Sequence, residues 1–411
     1  MSFLYRLPQT EVLLQCLKSF RRMRAVLLTC LLVFILCLGC SPAAQDAGQT
    51  PVVVISDLYS PGQDVGDNFD ILTPYALDNI DLKAVVFDVT DDFRMVSREN
   101  PILREPGFTV VQQLNYLFDV DVPCGCGPFT ALRSETDTKE DVPHYQTRGI
   151  DLLFDVLENS DRPVHIVSTG SCRPLAVAYN RNPELMCSDK VAAVHIAAGS
   201  TSDEFMEWNI ALDSLAASRV FKSDMNIILY PCATEDGPFA RNENNAFWAL
   251  RDLDFVLEME PVLRNYIIYQ LLSLDRPDFL SYLEIPLPDE HAEALKDRSV
   301  DEWYGSGGRH YVWETAVWQQ VADLHLVSHP DGNASLLPSD CIASDDAVFE
   351  EGLRYVELSV KDNGLFTYRY TDKPTRARIY YRKDPWENEI LLNLALPNLY
   401  KNFKSKIENN H

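Results

Sequence analysis

The chain has 411 residues, 46% of them hydrophobic and 24% charged, which is the composition of an ordinary globular protein long enough for one large α/β domain or two modest ones. The formal net charge is −25, and it becomes more negative still without residues 1–39, which hold five basic side chains and one acid. Such a chain repels phosphate backbones, which argues against nucleic acid as a partner; an acidic surface serves solubility and also suits divalent cations.

In chain order, Lys18, Arg21, Arg22 and Arg24 precede an apolar run from Ala25 to Gly39. The run is short for a bilayer span and has the form of a signal segment, and Met23-Arg24 plus the run makes a complete short signal on its own. Its end, Leu36-Cys37-Leu38-Gly39-Cys40, resembles a bacterial lipoprotein box, with Cys37 where leucine is usual. The expectation is a signal over residues 1–39, lipidation at Cys40, a polar tether over residues 40–50, and a place on the cell envelope held to the membrane by the lipid. An uncleaved anchor helix is the alternative. The six cysteines beyond Cys40 fit no zinc spacing and read as scattered buried thiols.

Residues 51–405 then alternate strand and helix. Pro51–Ile55 is a β-branched run, Leu82–Val89 a second buried strand, Phe108–Phe118 a helix and Val120–Cys126 a third strand. Gly149–Glu158 has helical spacing, Pro163–Ser168 is strand four, Leu175–Tyr179 a helix, Val191–Ala197 strand five, Leu215–Phe221 a helix and Asn226–Tyr230 strand six. Apolar strands alternating with helices predict an α/β fold with a mostly parallel, doubly wound sheet, whose ligands bind at the carboxyl ends of the strands. Residues 234–310 break the rhythm and read as a mostly helical insertion or lid. Tyr355–Tyr381 reads as strands turning at Asp362-Asn363-Gly364, and a last helix spans about Trp386–Phe403.

The loops after the strands carry the unusual residues. After strand one come Asp57, Asp64, Asp67 and Asp70, four carboxylates in fourteen residues. Their mutual repulsion is relieved by a hard cation, or they form a solvated loop in which Asp67 or Asn68 caps the next helix. Strand four ends Ser168-Thr169-Gly170-Ser171-Cys172-Arg173-Pro174, with Pro174 suited to the first turn of a helix. Glu207 and Asn209 follow strand five and can hold hydroxyls, while Asp213 is placed to cap a helix. After the insertion, Glu314 opens the apolar helix of Trp313-Glu314-Thr315, either facing the strand mouths or complementing the helix dipole. No G-x-S-x-G elbow follows any strand, so a serine-hydrolase reading fails on the sequence.

In this order, the stretches resemble the inosine–uridine-preferring nucleoside hydrolase family. That family has an Asp-rich loop after its first strand and a Thr-Gly-x-x-Thr-Asn-Leu-Ala turn. It then has a Glu-Phe-Asn-(x)3-Asp-x-x-Ala-Ala segment and a His-Asp-Pro-x-Ala-Val helix start. The third is closest: Glu207-Trp208-Asn209, Asp213, Ala216 and Ala217 keep the family spacing. The resemblance spans about Pro51 to Phe403 and implies a nucleoside hydrolase-like fold and hydrolysis of N-glycosidic bonds of ribosides with a bound calcium. It implies metal ligands at Asp57, Asp64, Asp70, Glu314 and the backbone carbonyl of Arg173. It further implies a general base at Asp67, ribose contacts at Glu207 and Asn209, and base contacts from Trp248 and Trp313. Asp57 stands at the strand end, and Asp64, Asp67 and Asp70 share the remaining acidic positions without a unique assignment. A small-molecule riboside is the implied partner, with room for a homo-oligomer. Arg173 replaces the family threonine, Pro174 the asparagine and Trp313 the histidine, so the usual leaving-group acid is missing. A catalytically weak envelope protein that binds nucleosides or carbohydrates on the same fold is the alternative.

Overall fold

Strand β1 (Thr50–Ser56) is buried on both faces, because Val52 and Val54 feed one hydrophobic core and Val53 and Ile55 the other. A computed structural model describes residues 48–60, 65–90, 105–274, 277–299 and 310–407. The signal segment, Cys40, most of the tether and Asp64 lie outside them. Around β1 runs a nine-stranded sheet of order β13-β12-β14-β6-β5-β4-β1-β2-β3. Its strands are β2 (Ile80–Phe87), β3 (Cys124–Cys126), β4 (Val164–Ser168), β5 (Val191–Ile196), β6 (Ile227–Leu229), β12 (Glu351–Val360), β13 (Phe366–Tyr370) and β14 (Ala377–Arg382).

Seven neighbouring strands, from β14 to β3, are parallel, and the hairpin β12–β13 continues the sheet antiparallel beyond β14. The fold is the mostly parallel α/β sheet expected. The helices are α1 (Val65–Ala76), α2 (Phe108–Phe118), α3 (Arg148–Asn159), α4 (Arg173–Arg181), α5 (Pro183–Met186), α6 (Trp208–Leu212), α7 (Ser214–Phe221), α8 (Pro261–Leu271), α9 (Asp289–Ser299), α10 (Thr315–Val321) and α11 (Pro385–Asn402). Buried residues of α1, α2, α8, α10 and α11 fill the core on one face of the sheet, and those of α3, α4 and α7 fill the core on the other.

Three features depart from the sequence reading. The third strand is only β3, because Val120–Pro123 form no ladder. The insertion contains, besides its helices, strand β7 (Trp248–Leu250), which pairs antiparallel with β8 (His310–Val312) at its far end. A separate three-stranded sheet, β10-β9-β11, is formed by β9 (Leu324–Ser328), β10 (Ala334–Pro338) and β11 (Ala347–Val348). Its β9 and β10 pack against α11. Only β14 joins the main sheet directly, wedged parallel beside β6, while the expected turn at 362–364 closes by a bond from the Lys361 N–H to the Leu365 carbonyl.

The candidate site at the strand mouths

The chain winds from β1 outward to β2 and β3, then returns to β4 on the other side of β1. The crevice between the carboxyl ends of β1 and β4 is therefore the topological switch point, where such sheets bind ligands. Asp57 leaves β1 at this point. Gly170 leaves β4 opposite it and has no room for a side chain: a Cβ there would lie 2.7 Å from Asp88 Oδ2 and 3.3 Å from the Asp57 carboxyl carbon. Two acid groups thus flank one backbone turn.

Asp88 is not among the expected site residues, although it has the same sequence signal as Asp57, a carboxylate at the end of a buried strand. Its Oδ2 accepts the Ser171 N–H at 2.6 Å, and Oδ1 is buried with no hydrogen-bond partner. Burial raises its pKa above the usual carboxylate range, against the opposing pull of Arg173 and Ser171.

Two further acids, Glu207 and Glu314, act together with Asp57 on Cys232, just beyond β6. Burial raises this thiol's pKa first, and the negative fields of Glu207, Glu314 and Asp57 raise it further. Glu314 is buried at the start of α10, with Oε2 accepting the Trp313 N–H at 3.2 Å. Trp313 is partly buried, and its indole N–H donates to the Cys232 carbonyl at 2.9 Å. Its ring lies 5.4 Å from that of Phe247, and Phe239 stacks on Tyr311 at 4.3 Å beside them. The result is an aromatic shelf next to the acids.

Glu207 caps α6. Its carboxylate accepts the N–H groups of Gly199 at 2.8 Å, Asn209 at 2.9 Å and Ile210 at 3.4 Å, and burial pushes its pKa up to about 7 against those bonds. The Asn209 side-chain amide donates to the carbonyls of Ala197 at 3.1 Å and Thr169 at 3.4 Å, tying the loops after β5 and β4 together. Both residues reach the mouth and also hold its loops. Asn209→Ala is therefore expected to lower stability by about 1–2 kcal/mol, for two lost buried hydrogen bonds. Urea denaturation checks this, and an unchanged midpoint would show that the two bonds carry no net stability.

Arg173 opens α4, with Pro174 in the first turn as expected. Its side chain, on which the sequence reading placed no role, is 1% exposed. Nε donates to Asp213 Oδ2 at 3.0 Å, and the terminal nitrogens donate to the carbonyls of Val89 at 2.9 Å, Pro128 at 3.2 Å and Leu212 at 3.2 Å. Asp213 also caps α7 through the Ala216 N–H and accepts the Leu132 N–H. One guanidinium thus bridges the segments after β2 and β3 and the junction of α6 and α7.

Asp67 lies in the first turn of α1, partly buried. Asp70, one turn on, lines a crevice with Thr73, Thr315, Trp318 and Tyr400, next to Glu314 in sequence through Thr315. Trp248, expected to contact the base, is instead wholly buried on β7, and its indole N–H donates to Thr315 Oγ1 at 3.0 Å, so it packs the core and offers no face to a base. Among the described residues, no group of three or more His, Cys, Asp or Glu side chains is gathered closely enough to hold a metal ion.

Comparison with known proteins adds a sequence relationship. The family model "Inosine-uridine preferring nucleoside hydrolase" matches residues 100–273. The matched stretch contains the Thr169–Ala176 turn and the Glu207–Ala217 segment, and leaves out the Asp57–Asp70 loop and Trp313-Glu314. The pyrimidine-specific ribonucleoside hydrolase RihA of Enterobacter sp. (strain 638) is 36% identical over 85 residues, which are 20% of this chain and 26% of that protein. The chain therefore matches about a quarter of that relative's length. Among solved structures, a plant nucleoside hydrolase, the PpNRh1 enzyme, aligns at 15% identity with a TM-score of 0.47, covering 84% of this chain and 98% of that one. The purine-preferring ribonucleoside hydrolase from Gardnerella vaginalis aligns at 14% identity with a TM-score of 0.44, covering 86% and 99%. Residues 100–273 are thus similar to the inosine–uridine-preferring nucleoside hydrolase family, and the match does not extend to the rest of the chain.

Proposed function

We propose that the strand mouth hydrolyses the N-glycosidic bond of a riboside. The observation that carries this reading is the convergence of Asp57, Asp88, Glu207 and Glu314, together with Asn209, at the switch point of the sheet. In the proposed reaction, water attacks the ribose carbon that bears the base, the carbon–nitrogen bond breaks, and the base departs with the bonding pair. Asp67 takes the proton of the attacking water. Glu207 and Asn209, fixed by their backbone bonds, line the sugar pocket and favour an oxocarbenium-like state. The shelf of Trp313, Phe239 and Tyr311 stacks on the departing ring and excludes water from it.

A calcium ion fits this reading in kind. The side-chain donors at the mouth are carboxylate oxygens, which suit a hard cation, and the partnerless Asp88 Oδ1 is a buried acceptor that a cation would satisfy. Asp57 and Asp88, which flank Gly170, would start its ligand set, and Glu314, Asp64, Asp70 and the Arg173 carbonyl, the ligands that the family resemblance implies, would have to close on the ion to complete it. When bound, calcium would orient the sugar diol and lower the pKa of a nearby water.

The test is ribose release by the purified protein from a panel of nucleosides, with calcium and with chelator, alongside thermal melts in both conditions. The expected result is calcium-dependent release and a higher melting midpoint with calcium, because a ligand that binds only the folded state stabilises it. Identical midpoints with no release would remove the metal and the reaction together. A raised midpoint and riboside binding without release would favour the catalytically weak binding protein. Trp313 favours that second reading, since its only side-chain N–H is already given to the Cys232 carbonyl. The envelope location and lipid anchor at Cys40 are part of the proposal and rest on the N-terminal sequence alone.

A further inference from the structure

The small sheet β10-β9-β11 carries a row of polar side chains across its three strands. His329 follows β9, Ser335 lies on β10 and Asp346 immediately precedes β11. Asp346 continues the register in which Ala347 faces Ser328, and so comes beside His329. His329 Nδ1 is 2.8 Å from Asp346 Oδ1, and His329 Nε2 is 2.9 Å from Ser335 Oγ. The second Asp346 oxygen accepts the Ala343 N–H at 3.0 Å.

The atoms are in the order that activates a hydroxyl. A carboxylate on Nδ1 holds the proton on that nitrogen and leaves Nε2 free to accept from Ser335. Hydrogen bonding to His329 lowers the Asp346 pKa, so the acid stays ionised. The acid is covered, with its side chain 6% exposed, while that of His329 is 24% exposed and Ser335 is only partly buried. The base is also held in place from behind: the His329 N–H donates to the Asn333 carbonyl, and its carbonyl accepts the Gly332 N–H. Gly332 has φ of +87°, which lets the turn close this tightly.

We infer that Ser335, His329 and Asp346 form a second reactive site, a serine nucleophile that takes acyl or phosphonyl groups from small activated esters. The row crosses strands of a sheet and needs no strand-to-helix elbow. It is also independent of the riboside reading, because none of its residues belongs to the strand mouth. In the step, Ser335 Oγ bonds to the ester carbonyl carbon while its proton passes to His329 Nε2. The bond to the leaving alcohol breaks, and the alcohol leaves with that proton. Water, activated by the same histidine, then cleaves the acyl-serine and returns the acid. The site lies on a sheet surface, so the suitable substrates are those that need little stabilisation of the oxyanion, such as nitrophenyl esters.

The experiment treats the whole purified protein with a fluorophosphonate probe and with p-nitrophenyl acetate, in chelator. Peptide mass mapping is expected to place the label on Ser335 with loss of fluoride. Ser335→Ala abolishes it, and His329→Gln slows it by about 100-fold, the scale of a general base. Asp346→Asn keeps the size of the side chain and is expected to slow labelling by more than tenfold. Melting curves confirm that each variant is folded. Labelling of the parent at the rate of Ser335→Ala, or at a rate unchanged by His329→Gln, would overturn the proposal and leave the row as a staple between strands.

Discussion

Arg173→Met is expected to lower the stability of the protein by about 3–5 kcal/mol, the scale on which removal of one partner from a buried ion pair acts. The cost comes from what stays behind. Asp213 would keep a buried charge without its guanidinium, and the carbonyls of Val89, Pro128 and Leu212 would lose donors that water cannot replace at a residue 1% exposed. Methionine preserves most of the volume, so the loss reports on charge and hydrogen bonding more than on packing. Urea denaturation at neutral pH reads it directly. A loss under about 1 kcal/mol would mean that the guanidinium is solvated in the native protein and the pair is no more than a surface contact. The double change Arg173→Met with Asp213→Asn should recover part of the loss, since it removes the stranded charge while the amide still accepts the Ala216 N–H. Because this side chain bridges the segments after β2 and β3 and the α6–α7 junction, Arg173→Met is also expected to weaken riboside binding without Arg173 touching the sugar.

The second large effect is on the leaving group. Parent protein is expected to cleave a nitrophenyl riboside with kcat/KM about 100-fold or more above that for inosine or uridine, the size of a missing general acid. A nitrophenolate leaves without a proton, whereas a purine or pyrimidine nitrogen needs one. Trp313 has no titrating proton, and its indole N–H is fixed on the Cys232 carbonyl at 2.9 Å, so it has no proton to give to a departing base. Trp313→His should narrow the ratio by raising the rate on natural nucleosides, with a fall in that rate toward high pH that the parent lacks, because only the protonated imidazole can give a proton. Equal kcat/KM for both substrate types in the parent would show that another acid serves the base. His310, on β8 close by in sequence, is then the first residue to replace.

The sequence by itself determined the elements whose patterns are local. β1, β4 and β5, and helices α2, α3 and α7, lie within two residues of where periodicity put them, because buried parallel strands and amphipathic helices are set by neighbours a few residues away. It also determined that acids cluster after β1 and that a Glu–Asn pair follows β5. Only the tertiary structure decided which of these meet. β14 reaches β6 across more than a hundred residues, and β7 reaches β8 across the insertion, pairings that no local pattern encodes. Burial turned Trp248 from an expected base contact into core and gave Arg173 a side-chain role that its expected part, through a backbone carbonyl, did not suggest. Asp88 and the Ser335–His329–Asp346 row stayed hidden for the same reason. Their chemistry comes from atoms less than 3 Å apart that lie on different strands or loops, and strand register and backbone turns, not sequence neighbours, set those distances.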